Sequence, residues 1–165
     1  MFDAASFVNA AVDPLSTQFE VVPEGEWQMM IDTDPRQLVD TTNDDKAPVG
    51  IKHHAGTSER TGKPYDFYDW TLMCVVTDQR VKEKLKRESI KVRMRLGLDL
   101  SDAGGLVTGP NKNVALGRLR DALGQNKPGW TPQQLLGAGP FIGKVTHQQV
   151  KDAVYADVTR AAKIS

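Results

Sequence analysis

Residues 90–100, IKVRMRLGLDL, alternate strictly between apolar side chains and other side chains. The apolar positions are Ile90, Val92, Met94, Leu96, Leu98 and Leu100, and the positions between them begin with Lys91, Arg93 and Arg95. A period of two places successive side chains on opposite faces of a β-strand. The segment therefore predicts a strand with one wholly apolar face and an opposite face that starts with three cations.

Two further strands are predicted before this one. Residues 21–31 predict a turn at 23–25 followed by a strand in which Trp27, Met29 and Ile31 share a face. Residues 65–76, YDFYDWTLMCVV, are rich in aromatic and β-branched residues and predict a longer strand. Proline and glycine interrupt the polar residues 32–64, which predict a long connection with at most one short strand at 49–52. Residues 80–87 predict a basic connection.

The rest of the chain mixes helix and strand signals. Residues 101–140 predict glycine-rich loops and two short helices, one capped by Asn113 and one beginning at Thr131-Pro132. The chain then predicts strands at 141–149 and 153–164, joined by a polar turn at 150–152. Near the N-terminus, Asp3 can cap a short helix over residues 4–12.

This order of elements predicts a mainly β fold. We expect a five-stranded antiparallel barrel of the oligonucleotide/oligosaccharide-binding (OB) type, with a helical insert (101–140) between strands three and four. Residues 1–20 would form an N-terminal arm with a short helix, and residues 21–165 the OB domain. A β-sandwich needs more strands than the sequence offers, and a parallel α/β fold needs helices between all strands.

The charges are unevenly distributed although the formal net charge is zero. Residues 1–45 contain ten acidic residues and one basic residue, whereas residues 46–97 contain twelve basic and six acidic residues. The basic middle of the chain is where an anionic ligand is expected. The alternative is a solvated charged surface without a ligand.

Catalytic motifs are not recognisable. Gly104 and Gly109 have the spacing of a phosphate-binding P-loop, but Pro and Asn follow where Lys and Ser/Thr are needed. His53, His54 and His147 lack partners at zinc-ligand spacing, and the acidic residues do not form a two-metal pattern. The sequence therefore predicts a non-enzymatic protein without a cofactor or a metal.

The setting expected for the chain is the cytoplasm. The single cysteine, Cys74, lies in an apolar run and cannot form an internal disulfide, which favours a reducing compartment. The first residues do not resemble a secretory signal, and the sequence lacks an apolar stretch long enough for a membrane helix. A membrane partner is therefore not expected.

What remains is a candidate binding surface. Lys91, Arg93 and Arg95, here called the cationic row, would project from one strand face about 6.6 Å apart, close to the phosphate spacing of a single nucleic-acid strand. Phe67 would lie on the more polar face of the preceding strand as a stacking platform for a base, or would pack against the helical insert. Further candidates lie in the preceding loop and on the last two strands: Lys52, His53, Arg60, Lys63, Lys144 and Tyr155.

Several stretches together resemble a family of short bacteriophage proteins encoded among replication and recombination genes. They are MFDAASF, VPEGEW, SERTGKPYDFYDWTL, GRLRDALG and the closing hairpin. Members of that family are regarded as single-stranded-DNA-binding proteins of OB fold. The resemblance implies sequence-independent binding of single-stranded DNA through Arg60, Lys63, Phe67 and the cationic row.

The resemblance also implies where the protein would act. It would work in phage DNA replication or recombination, in the host cytoplasm, with phage or host replication and recombination proteins as partners. A homo-oligomer is compatible with the sequence. The other class that the sequence allows is a protein-interaction or virion-associated module that uses the same barrel without nucleic acid.

Overall fold

A computed structural model describes residues 2–15 and 20–165. Its strands are β1 (Gly25–Ile31), β2 (Gly50–Thr57), β3 (Pro64–Val76), β4 (Lys91–Leu98), β5 (Phe141–Val150) and β6 (Ala153–Ala162). Its α-helices are α1 (Ala4–Asn9), α2 (Gln79–Leu85) and α3 (Val114–Ala122), and two 3₁₀ helices span Pro35–Leu38 and Pro132–Leu135. The protein is therefore mainly β with few helices.

The six strands form one mixed sheet in the order β1-β5-β6-β4-β3-β2, and β1 also pairs with β3. Five strands thus form a closed cycle in which each pairs with the next: β1, β3, β4, β6, β5 and back to β1. Strand β2 lies outside this cycle and pairs with β3. The pairing of β4 with β6 is parallel and covers two residue pairs, Arg93 with Asp157 and Met94 with Val158. The other strand pairings are antiparallel.

The prediction of a purely antiparallel five-stranded barrel is wrong in two respects. Strand β2 has eight residues where the sequence indicated at most a short strand at 49–52, because residues 52–54, Lys-His-His, lack apolar alternation. Strands β4 and β6 pair in parallel, and the order of strands along the chain does not specify that pairing. A helix, α2, also lies where only a basic connection was expected.

The expected insert between β4 and β5 is largely irregular. Helix α3 and the 3₁₀ helix Pro132–Leu135 lie in this segment, and most other residues of 101–140 form turns and bends. Leu116 and Leu119 of α3 are buried, so this helix contributes to the core.

The core is built from alternate residues of the strands, as the period of two predicts. Trp70, Leu72, Cys74 and Val76 of β3 are buried. The whole apolar face of β4 is buried as well, so that part of the prediction is confirmed: Val92, Met94, Leu96 and Leu98. Met29, Ile31, Phe141, Val145 and Val158 complete the centre of the core. Buried apolar area of this kind is the main favourable contribution to folding.

The long connection after β1 is fixed to the sheet by one buried polar residue, Gln37. Its side-chain amide donates to the backbone carbonyls of Asp32 and Asp34, both at 2.9 Å, and its Oε1 accepts from the N–H of Met73. Its own backbone carbonyl accepts from Trp70 Nε1 at 2.6 Å. Every polar group of this side chain is thus satisfied, as burial requires.

The N-terminal residues 2–15 are exposed throughout. Helix α1 is capped by Asp3, whose carboxylate accepts from the N–H of Ala5 at 3.0 Å, and it ends three residues earlier than predicted. In the described part of the chain, none of the helices has the length and apolar character needed to cross a membrane.

Candidate nucleic-acid interface

Strand β2 and the first half of β3 form a hairpin that extends beyond the core. We call residues 52–69 the hairpin arm. In this arm β2 and β3 pair antiparallel, with Lys52 opposite Asp69 and His54 opposite Phe67. Residues 64–67 of β3 are exposed, whereas alternate residues from Trp70 onward are buried. Long side chains of the arm are therefore available at the surface.

Three rings of the hairpin arm lie on one face and form what we call the aromatic cluster. The imidazole of His54 stacks on the Phe67 ring with centroids 4.8 Å apart and an interplanar angle of 16°. The Tyr65 ring lies 6.1 Å from Phe67 in a tilted arrangement. Phe67 is 48 % exposed, so it is not a core residue. Its outward orientation agrees with the sequence analysis, and its role in binding stays a prediction.

Both histidines of the arm are fixed by β3. His54 Nε2 lies 2.9 Å from Asp69 Oδ2. His53 points to the opposite face, where it stacks on Tyr68 at 4.3 Å and its Nε2 lies 2.6 Å from Asp66 Oδ1. A ring contact and a carboxylate thus hold each imidazole, which pre-organises the arm. The predicted residue His53 therefore lies on the other face from Phe67.

The cationic row lies on the outer face of β4, and each member is paired with a carboxylate. The pairs are Lys91 with Asp32 at 3.0 Å, Arg93 with Asp157 at 2.9 Å and Arg95 with Asp69 at 3.1 Å. The sequence of β4 itself contains cations only, but neighbouring strands and the loop after β1 bring acids to the same face. The charge of the row is therefore partly neutralised and its guanidinium groups are oriented.

The other predicted basic residues of this region lie around the same face. Lys52 lines a cleft together with Arg93 and Arg95, and within the described residues its ammonium group has no ion-pair partner. Arg60 and Lys63 are exposed at the tip of the arm, where the Lys63 carbonyl accepts from the N–H of Ser58. The cleft and the aromatic cluster share His54 and therefore adjoin each other, and the tip is the end of the same hairpin arm.

The last two predicted residues lie on the closing hairpin. Tyr155 of β6 is exposed and lines a groove with Lys91 and Arg93, which places it next to the cationic row. Lys144 of β5 is exposed and lies opposite Glu26 of β1 and Arg160 of β6. It is therefore separated from the cationic row by strand β6.

The sequence analysis missed His54 and Tyr65 as candidates. Both lie on the same face as Phe67, His54 across the β2–β3 pair and Tyr65 two residues along β3. The signal for His54 was the cross-strand register, which becomes visible only when residues 50–57 are recognised as a strand.

Two further features of the described residues concern the cysteine and metal ligands. Cys74 is buried, and burial raises the pKa of its thiol to about 12, so the reactive thiolate is disfavoured. Residues 2–15 and 20–165 contain no group of three His, Cys, Asp or Glu side chains that could hold a metal ion.

No protein-family model, curated protein or solved structure matches this chain. The resemblance to phage single-stranded-DNA-binding proteins therefore stays a prediction. The ligand of the interface is inferred from the side chains of the hairpin arm and its neighbouring strands.

Proposed function

We propose that this protein is a non-enzymatic, largely sequence-independent single-stranded-DNA-binding protein. The observation that carries the proposal is the exposed aromatic cluster beside the cleft of Lys52, Arg93 and Arg95. Exposed rings stack on any base, with about 1–3 kcal/mol per base, and cations contact the phosphates between them. A role in phage DNA replication or recombination, in the host cytoplasm, follows from the resemblance and belongs to the same proposal.

We also propose that the closed cycle of β1, β3, β4, β6 and β5 is an OB-type barrel to which β2 has been added. In OB folds the ligand crosses the second and third barrel strands, which correspond here to β3 and β4, and adjacent loops flank it. Tyr65 and Phe67 of the aromatic cluster lie on β3, and the cationic row lies on β4. The proposed fold and the proposed ligand therefore point to the same face.

The ion pairs of the cationic row determine which interaction contributes most to binding. Asp32, Asp69 and Asp157 neutralise part of its charge, so phosphate attraction is weaker than three free cations would provide. Stacking on the aromatic cluster then contributes a larger share. Because duplex DNA hides its base faces, such a surface prefers single strands.

The test is a binding measurement with the intact protein. Fluorescence polarisation of a labelled oligo-dT is followed at low and moderate salt, with unlabelled single-stranded and duplex DNA of equal length as competitors. Binding at low salt that the single strand displaces and the duplex does not would support the proposal. Absence of binding at low salt would overturn it.

A second candidate function is a protein-interaction or virion-associated module. The N-terminal arm favours it, because residues 2–15 and 20–165 leave large apolar side chains exposed there: Phe2, Phe7, Val8, Val12 and Leu15. Exposed apolar groups in one segment indicate contact with another protein. A variant lacking residues 2–15 separates the two roles. If the variant binds oligo-dT as tightly as the unmodified protein, the arm is not needed for DNA binding and is available to a partner protein. If the unmodified protein binds no DNA, only the interaction role remains.

A further inference from the structure

A second basic cleft opens where β4 and β6 separate. These strands pair only at Arg93 with Asp157 and Met94 with Val158. Beyond that point β4 continues along β3, β6 continues along β5, and α3 packs against both β4 and β6. The resulting cleft is lined by three arginines from three elements, Arg95 of β4, Arg118 of α3 and Arg160 of β6.

Acids balance the charge of this cleft only in part. Carboxylates are absent from its lining residues. Arg118 and Arg160 form no ion pair within residues 2–15 and 20–165, and Arg95 uses one terminal nitrogen on Asp69. Arginines that line one cleft repel one another, and a bound anion relieves that repulsion. Their planar N–H donors match the oxygens of a phosphate.

The lining also indicates which part of a nucleic acid would fit. Aromatic rings are absent from the residues that form this cleft, and its apolar floor includes Met94 and Leu119. A base would find no stacking partner there, whereas a phosphate would find several donors. The cleft is therefore suited to the backbone of a strand and not to its bases.

Arg95 connects this cleft to the candidate interface. It also lines the cleft that contains Lys52, His54 and Arg93 beside the aromatic cluster. We propose that single-stranded DNA continues from the aromatic cluster past Arg95 into the α3 cleft, where Arg118 and Arg160 bind a backbone phosphate. This inference rests on the proposed function and extends it to the path of the strand.

The experiment uses labelled oligo-dT of increasing length with the full chain and the double variant R118A/R160A. A short oligonucleotide that covers only the aromatic cluster should bind both proteins equally. With longer oligonucleotides the affinity of the unmodified protein should rise, and the variant should bind about tenfold more weakly, equal to about 1.4 kcal/mol. Its log–log salt slope should fall by about 0.7, since the two arginines bind one phosphate and removing one phosphate interaction lowers the slope by about that amount.

The matched control is K82A/K84A, which removes two positive charges from α2. This control should keep the length dependence of the unmodified protein, and melting curves should show that both variants fold. If R118A/R160A follows the unmodified protein at every length, the path is wrong and the proposed function stands. The path is equally wrong if the control loses as much affinity as the variant. If the unmodified protein binds oligo-dT at no length, the proposed function itself fails, and the path fails with it.

Discussion

The two halves of strand β3 both carry aromatic side chains but have opposite surroundings. Trp70 in the second half is 1 % exposed, whereas Phe67 in the first half is 48 % exposed. The second half is flanked by β4 on one side and by β2 or β1 on the other, and it faces the core. The aromatic residues of the first half are instead supported by β2, through the contact of His54 with Phe67 and of His53 with Tyr68.

The two halves therefore differ in what they contribute to the free energy of folding. The buried half removes apolar surface from water and so stabilises the fold. The exposed half keeps aromatic rings in water, where they contribute little to stability, and two of these rings stack on histidines that contact Asp66 and Asp69. The proposed binding of a single strand rests on these clustered exposed rings next to cations.

The largest effect is expected from W70A in the buried half. Removing this ring leaves a cavity and also removes the hydrogen bond from its Nε1 to the Gln37 carbonyl. We expect the free energy of unfolding to fall by about 3–5 kcal/mol, measured by thermal or urea denaturation. A decrease below about 1 kcal/mol would contradict the assignment of this half of β3 to the core.

The next effect is expected from F67A, only three residues away. The free energy of unfolding should change by less than about 1 kcal/mol because the ring is largely exposed. Single-strand affinity should fall by about 1–3 kcal/mol, or roughly 5- to 150-fold, if a base stacks there. Melting temperature and oligo-dT polarisation are measured on the same preparation.

The matched control for F67A is F7A, which removes another exposed phenylalanine, in the N-terminal arm. It should leave the affinity unchanged. A collapse of the melting temperature in F67A would place its ring in the core, and an unchanged affinity would remove the aromatic cluster from the interface.

The buried half of β3 was the easier one to predict from the sequence. Strict alternation identifies β4 and the core face of β3 because burial selects apolar side chains at every second position. The hairpin arm was predicted only in part, since Lys52, His53 and His54 of β2 show no apolar period. Their strand conformation depends on pairing with β3, which is a tertiary effect.

The sequence likewise did not predict the ion pairs of the cationic row. Arg93 and its partner Asp157 are 64 residues apart along the chain. Only the parallel pairing of β4 with β6 brings them together. The sequence therefore predicted the positions of the cations but not their neutralisation, and it did not indicate that Arg118 and Arg160 lie beside Arg95.

A smaller effect is expected from D78N at the end of the buried half of β3. The Asp78 carboxylate caps α2, accepts from Arg80 and accepts from the N–H of Gln28. The hydrogen bond from the Arg80 side chain is the main cause that lowers the pKa of Asp78 from 3.8 to about 2. D78N keeps an N-cap acceptor but loses the charge that pairs with Arg80, so it should lower the free energy of unfolding at neutral pH by up to about 1 kcal/mol.

The pH dependence of that decrease follows from the direction of the shift. Because the folded-state pKa is lowered, the contribution of Asp78 is complete above about pH 4 and disappears as the pH falls toward 2. The difference in stability between D78N and the unmodified protein should therefore shrink over that range. A difference that stays constant down to about pH 2 would show that the carboxylate charge is not what stabilises this end of β3.

The smallest effect is expected from R93A/R95A, which tests how much the cationic row adds to the aromatic cluster. Removing one phosphate interaction should lower the log–log salt slope of single-strand binding by about 0.7. Removing both arginines should lower the slope by less than twice that value. Asp157 and Asp69 already neutralise part of the charge of the two guanidinium groups, and each substitution also leaves a carboxylate without its arginine. The fold should persist, since both side chains lie outside the core.

Slopes are measured by polarisation over a salt series, with K82A/K84A as the charge-matched control. An unchanged slope would place the phosphates elsewhere and leave the rings of the hairpin arm as the main determinant of binding.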